Sequence, residues 1–397
     1  MKNKSGFIIA AAFIGPGTVT TASIAGASEG LHLAWALIFS VIATYALQDM
    51  VIRISAITKL PLSENILSVF SNQNVKKAIA ALIFLAIGVG NTAYQSGNLT
   101  GASIGLLSAV DINMPYWPIV IGVAAALLII SGSYKLIERS LVILVGIMSI
   151  VFVVTLVAMQ PNMLDLIKQI ATPSFDKSTL SLALALIGTT VVPYNLFLHA
   201  SLVVQTARDV PMKQHVQALR NDSAIAIGVG GFISLVIMTT ATVAFFNTQT
   251  QLDVANMSAQ FKPILGEYAG LFFGLGLFAA GVTSAVTAPL AASYAITSLM
   301  QWDNTPKGKA FQRISLSIIA IGVLFATLAT SPLSLIVIAQ ATNAFLLPFV
   351  VFILLLVMAR HPRLSHYRNS KVFHILGVLI LAVLLYLSGI KLLGLVA

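Results

Sequence analysis

Cysteine is absent from the 397 residues, which excludes disulfides, thiolate metal sites and cysteine nucleophiles. Charge is scarce too: Asp, Glu, Lys and Arg make up 9% of the chain, against roughly 25% in an average soluble domain. So few charges cannot build a water-facing surface on a chain this long. Soluble enzymes, disordered tails and nucleic-acid-binding domains are thereby excluded. What is present is apolar, 58% of residues, with a mean hydropathy of +0.96. Long apolar stretches run from end to end, so the natural reading is one bilayer-embedded domain over 1–397. Lys2 and Lys4 before an apolar run imitate a signal peptide, but that run continues into a Gly/Pro break and a second half-helix.

A spanning helix needs about 20 mostly apolar residues. Eleven stretches qualify: 6–28, 33–56, 77–106, 116–133, 138–159, 180–206, 222–246, 267–300, 313–331, 333–358 and 371–396. The fold class expected is an all-α membrane protein. Basic residues test the count. With the N-terminus in the cytoplasm, 18 of the 22 Lys and Arg residues fall on the cytoplasmic side. They run from Lys2 and Lys4, through Arg53 to Lys77, Lys135 and Arg139, Arg208 to Arg220 and Lys307 to Arg313, to Arg360 to Lys371. Only Lys168, Lys177, Lys262 and Lys391 face the other way. The positive-inside rule therefore supports eleven spans in a cell inner membrane, N-terminus cytoplasmic and C-terminus external. The net charge of +10 reads as cytoplasmic loops, with lipid and not nucleic acid as the partner.

Two spans look interrupted. Gly15-Pro16-Gly17-Thr18 sits inside the first, and Gly188-Thr189-Thr190 followed by Pro193-Tyr194-Asn195 sits inside the sixth. Proline removes a backbone donor and glycine frees the backbone, so unwinding is expected at both. Kinked structural helices are the plainer alternative, but the breaks fall at equivalent places five spans apart. That is the pointer to an inverted-repeat transporter. The repeats would be 6–159 (spans 1–5) and 180–358 (spans 6–10), with 371–396 appended as span 11.

These segments resemble the Nramp family of proton-coupled divalent-metal transporters, and the resemblance runs over nearly the whole chain. Gly15-Pro16-Gly17-Thr18 is similar to the family's Asp-Pro-Gly-Asn break. The stretch Val192-Pro193-Tyr194-Asn195-Leu196-Phe197-Leu198-His199 is similar to its Met-Pro-His-Asn-Leu-Tyr-Leu-His. Trp35, Gln48 and Arg53, the segment Ala280 to Ser284, and Ala339-Gln340 through Leu347-Pro348-Phe349 follow the family pattern as well. The resemblance implies a LeuT-type fold with spans 1 and 6 broken, and transport by alternating access. It also implies a metal held by a carboxylate and an amide in span 1 and a thioether in span 6. Here those positions are Gly15, Thr18 and Val192, which supply none of that donor chemistry. The family's first span-6 histidine is Tyr194, so only His199 remains. Gln95 and Asn98 stand where the family usually places two carboxylates on its proton route.

The chemistry left at the breaks is neutral and polar. A divalent ion at the bilayer midplane must exchange its water shell for strong ligands, usually including carboxylate, and no Asp or Glu lies near either break in sequence. Glu29 lies ~21 Å of helix beyond Gly15 at about 1.5 Å per residue, which puts it at the outer rim. Asp49 sits one turn before Arg53, a spacing that suits a helix ion pair. The substrate-binding candidates are Gly15, Gly17, Thr18 and Thr21 in span 1; Thr189, Val192, Tyr194 and Asn195 in span 6; Asn91, Gln95 and Asn98 in span 3; Thr283 in span 8; and Gln340 and Asn343 in span 10. His199 and Glu29 are the proton-linked candidates, each equally readable as a packing or rim residue. A half-helix beginning just after Gly17 presents backbone donors and a positive dipole end. That suits a carboxylate better than a bare dication. The first reading is therefore a secondary transporter of a small polar organic solute such as an amino acid. Its rival is a divalent cation of Mn, Fe or Mg type, held by carbonyls and hydroxyls. A non-transporting membrane receptor stands third. No dedicated metal site, cofactor or enzymatic motif is expected.

Overall fold

The computed structural model describes residues 14–396 apart from 111–114, 132–133, 177–178, 207–209, 249–251 and 254–255. The half of span 1 that precedes residue 14 lies outside the described residues. The chain is helical throughout what is described. In order come α1 (Pro16–Glu29), α2 (Ala34–Thr58), α3 (Leu62–Ser68), α4 (Gln73–Val110), α5 (Trp117–Ser131), α6 (Tyr134–Ala158) and α7 (Met163–Ala171). They are followed by α8 (Leu180–Thr190), α9 (Pro193–Gln205), α10 (Met212–Phe245), α11 (Ala269–Leu299), α12 (Lys309–Leu328), α13 (Pro332–Arg360) and α14 (Lys371–Val396). Among the described residues, 8 helices are long and apolar enough to cross a membrane, α5 being a shorter apolar one. Each of the eleven expected stretches overlaps one or two of the helices α1 to α14.

Local chemistry sets several boundaries. α1, α9 and α13 each begin with proline at the first helical position, where its missing N–H is no loss. α1 ends at Gly30, whose φ of +58° is left-handed and whose N–H returns to the Gly26 carbonyl at 3.1 Å. That geometry favours glycine.

Packing in a bilayer has little hydrophobic drive and relies on close backbone approach and van der Waals contact. α4 and α11 form the central pair by this means. A Cβ on Gly105 or Gly274 would collide with the backbone of the opposite helix, and one on Gly281 with Ala102. Outward faces carry exposed apolar side chains such as Ile38, Leu85, Phe232 and Leu379, as lipid contact requires.

Two ends of the bundle are pinned by polar contacts. At one end Asp49 lies wholly buried against Arg53, 2.6 Å away, and also pairs with Arg220. Arg53 further donates to the Tyr367 carbonyl (2.8 Å) and to Asn369 Oδ1 (2.6 Å). The expected Asp49–Arg53 pair is present, and Arg220 was not foreseen as its third member. Segments assigned to one side by their charge thus meet at one end. At the other end, α7 is turned 111° from the helix before it and docks on the turn between α1 and α2. Gln169 Oε1 accepts from the Leu31 N–H (2.9 Å), and the Trp35 indole donates to the Ser174 carbonyl (3.0 Å). Ser174 N–H donates to the His32 carbonyl (3.0 Å), and His32 Nδ1 donates to the Thr172 carbonyl (2.6 Å).

Candidate functional site

The sixth span is broken inside the expected segment Gly188 to Asn195, at its middle. α8 stays helical through Gly188, Thr189 and Thr190. Thr190 Oγ1 is held by the Leu186 carbonyl at 3.0 Å, so its hydroxyl reinforces the helix. The chain opens at Val191 (φ −91°, ψ 84°) and Val192 (φ −96°, ψ 118°), because Pro193 has no N–H to continue the ladder. Gly188 serves a different purpose from the one expected: a Cβ there would strike the Gln340 backbone carbonyl. Gly17 needs the same correction. It lies inside α1, which begins at Pro16 after an extended Gly15 (φ −82°, ψ 172°), and a Cβ on it would overlap the Gln340 side-chain amide.

Around these points the helices converge. Thr18 of α1 meets Thr189 of α8, hydroxyl to hydroxyl, at 2.9 Å. Tyr94 of α4 stacks edge-on against Tyr194 of α9, ring centroids 5.3 Å apart, and its hydroxyl is directed to Thr189 and Tyr194. A Cβ on Gly15 would rest 3.1 Å from Ser284 Oγ and 3.9 Å from the Tyr94 hydroxyl. Val192 joins Tyr94, Tyr194 and Leu198 in a small apolar cluster with Ala288 and Ala291. The start of α1, the opening of the sixth span, α4, α11 and α13 therefore share one buried centre.

On these helices several buried polar atoms have no hydrogen-bond partner among the described residues, Gln340 being the one set against Gly17 and Gly188. Gln340 and Asn98 are fully buried with both amide atoms unbonded, and Asn195 Oδ1 is likewise unbonded. Thr20 and Thr21 hydroxyls share that condition. An unsatisfied buried polar group costs about 1–3 kcal/mol, so each of these is a place where water or a substrate can supply the missing bond.

Other candidates lie apart from this centre. Gln95 turns away, donating to the Ala285 carbonyl at 2.9 Å and lying against Gly322 of α12. Asn91 bonds Ile87 of its own helix, and Asn343 Oδ1 lies 3.2 Å from where a Cβ on Gly90 would stand. Thr283 returns its hydroxyl to Ala279, so Ser284, one residue on, is the α11 side chain at Gly15. His199 donates from Nδ1 to Gln48 Oε1, a contact between α2 and α9, and Glu29 stands at the far end of α1. Ser284 and Tyr94 were the less obvious members of their helices, since a small error in helical phase exchanges them with Thr283 and Gln95. No group of three or more His, Asp or Glu side chains that could hold a metal occurs among the described residues.

Known structures share this architecture. A manganese transporter from Eremococcus coleocola superposes with a TM-score of 0.76 at 17% identity, covering 97% of this chain and 85% of that one. The transporter Mhp1, of the nucleobase-cation-symport-1 family, gives 0.60 at 12% identity, with 98% and 91% covered. MhsT in complex with L-phenylalanine gives 0.60 at 15% identity, with 100% and 98% covered. The fold, with its broken sixth span and buried polar centre, defines an integral membrane transporter of LeuT type. The family model described as Natural resistance-associated macrophage protein-like (Nramp) matches residues 6–394, and the chain belongs to that family. Relatives include the divalent metal cation transporter MntH of Klebsiella pneumoniae strain 342, 25% identical over 393 residues, covering 98% of this chain and 92% of that protein. The metal transporter nramp1 homolog of Dictyostelium discoideum is 24% identical, covering 96% and 73%. These relatives are named for metal cations, not for the organic solute that the sequence alone put first.

Proposed function

We propose that this transporter moves a hard divalent cation of Mn or Mg type, still partly hydrated, by alternating access around the centre described above. The observation that carries the reading is the set of unbonded amide oxygens on Gln340, Asn98 and Asn195. Neutral amide and carbonyl oxygens suit hard ions that keep part of their water shell. Soft ions favour thioether and imidazole ligands, and Val192 and Tyr194 provide neither. With no carboxylate in the set, affinity should be weak, about 10⁻⁴–10⁻³ M, as in weakly charged calcium sites. The family relationship supports the same substrate class.

The test is uptake into proteoliposomes. Mn²⁺ and Mg²⁺ should enter saturably, Gln340→Leu should abolish entry, and isothermal titration should show no micromolar Cd²⁺ site. The organic-solute reading is kept alive by one feature, the apolar wall of Tyr94, Tyr194 and Val192 beside the start of α1. Uptake of a labelled amino acid with no cation flux would replace the cation reading.

The repeats 6–159 and 180–358, the eleven spans and a cytoplasmic N-terminus belong to the same proposal, supported by the charge asymmetry. A cysteine introduced at Lys2 has no native background. Its reaction with an impermeant reagent outside intact cells would overturn the orientation.

A further inference from the structure

Outside the polar centre, a groove of about 860 Å³ opens between α4, α12 and α13. Its walls are apolar, with Phe84 and Leu85 of α4, Ile321 and Phe325 of α12, and Ile338 of α13 among them. All five are well exposed. A lipid-facing groove of this kind would be filled by any hydrocarbon. One end, however, is different. Arg313 lines it, exposed and with no ion pair among the described residues. Ser317, also lining the groove, stands one turn further along α12 with its hydroxyl exposed. Lys309 lies one turn before Arg313. Residues four apart share one face of a helix, so two cations and a hydroxyl form a short polar stripe leading into an apolar trough.

The dimensions agree with a membrane lipid. From Arg313 to Phe325 is ~18 Å of helix at about 1.5 Å per residue, close to one leaflet of a hydrocarbon core ~30 Å thick. The cationic end belongs to the segment Lys307–Arg313 that carries basic charge in sequence. Anionic lipids are drawn to such clusters at the membrane surface. A guanidinium presents forked donors that match phosphate oxygens. Ala339 and Thr342 of α13 also line the groove, one and two residues from Gln340.

We propose that the groove is a seat for one anionic phospholipid, its phosphate on Arg313 and Ser317 and an acyl chain along Ile321 and Phe325. This does not depend on which substrate is carried.

The test uses the purified, delipidated full chain in detergent. Phosphatidylglycerol should raise the melting temperature by several degrees more than phosphatidylcholine at equal concentration, in a saturable manner. Native mass spectrometry should retain phosphatidylglycerol preferentially, and inorganic phosphate alone should produce no shift. Arg313→Gln should remove the preference while leaving the phosphatidylcholine baseline intact, since the side chain is exposed. Arg313→Lys should keep part of it. Lys371→Gln removes the same charge at the start of α14 and should keep all of it. Equal stabilisation by both lipids, an equal shift with free phosphate, or a preference that survives Arg313→Gln would overturn the proposal.

Discussion

The buried carboxylate of Asp49 offers a quantitative test of how one end of the bundle is held. Its side chain is 0% exposed, that of Arg53 is 7% and that of Arg220 is 29%. One carboxylate oxygen accepts from Arg53 Nε at 2.9 Å and Nη2 at 2.6 Å, and the other faces Arg220. Asp49→Asn keeps the shape but leaves two guanidinium groups without their anion. Removing one member of a buried ion pair costs about 3–5 kcal/mol. Arg220→Gln leaves the Asp49–Arg53 pair whole, and Arg220 is open enough to water for screening to reduce the loss to about 1 kcal/mol. The double variant Asp49→Asn/Arg220→Gln removes one of the two stranded cations. It should therefore recover part of the Asp49→Asn loss, a coupling that a double-mutant cycle reads directly. At about 1–3 °C per kcal/mol for a chain of this size, the melting temperature should fall on the order of 5–10 °C in Asp49→Asn. It should fall by only about 2 °C in Arg220→Gln. Equal losses in the two single variants, or no recovery in the double, would refute the three-membered arrangement.

Two glycines facing Gln340 should separate site from scaffold. Gly17→Val pushes on the end of the Gln340 side chain, which can swing aside, so cation uptake should be lost with the melting temperature nearly unchanged. Gly188→Ala pushes on the Gln340 backbone, which cannot yield, and should cost about 1–3 kcal/mol of stability; Ile38→Val, on the lipid face, should change neither quantity. Coupling to protons should be weak, because the polar groups at the centre are amides and hydroxyls and His199 is tied to Gln48. Acidification of the liposome lumen in step with cation entry, lost in His199→Gln, would contradict that expectation.

Much of the architecture was legible from apolar length alone. The stretch 33–56 became Ala34–Thr58 and 371–396 became Lys371–Val396, because a bilayer sets a minimum apolar length for a spanning helix. Pro193 marked the sixth break, since the loss of an N–H is local chemistry. What escaped was short-range phase and long-range partnership. Met163–Ala171 is too short to register as a span and falls between two of the expected stretches. The choice between Thr283 and Ser284 rests on about 100° of helical rotation, which a uniformly apolar helix does not mark. Arg220 looked like one more basic loop residue, because nothing near it in sequence shows that Asp49 has a second carboxylate oxygen to share. Gly188 looked like a hinge, when its lack of a side chain was there to admit the backbone of a helix some 150 residues later.

The docking of α7 on the turn after α1 bears on biogenesis. Its contacts join residues 138 to 142 positions apart, so they cannot form until α7 and the residues just after it have been synthesised. Until then the Gly30–Trp35 turn has the Trp35 indole and the Leu31 N–H unclaimed. Chains truncated before residue 169 and released from the ribosome should therefore be cut by added protease in that turn, and chains truncated after residue 176 and released should resist. Contacts separated by so much chain are slow to close, which makes this clasp one of the last steps in assembling the first half of the molecule.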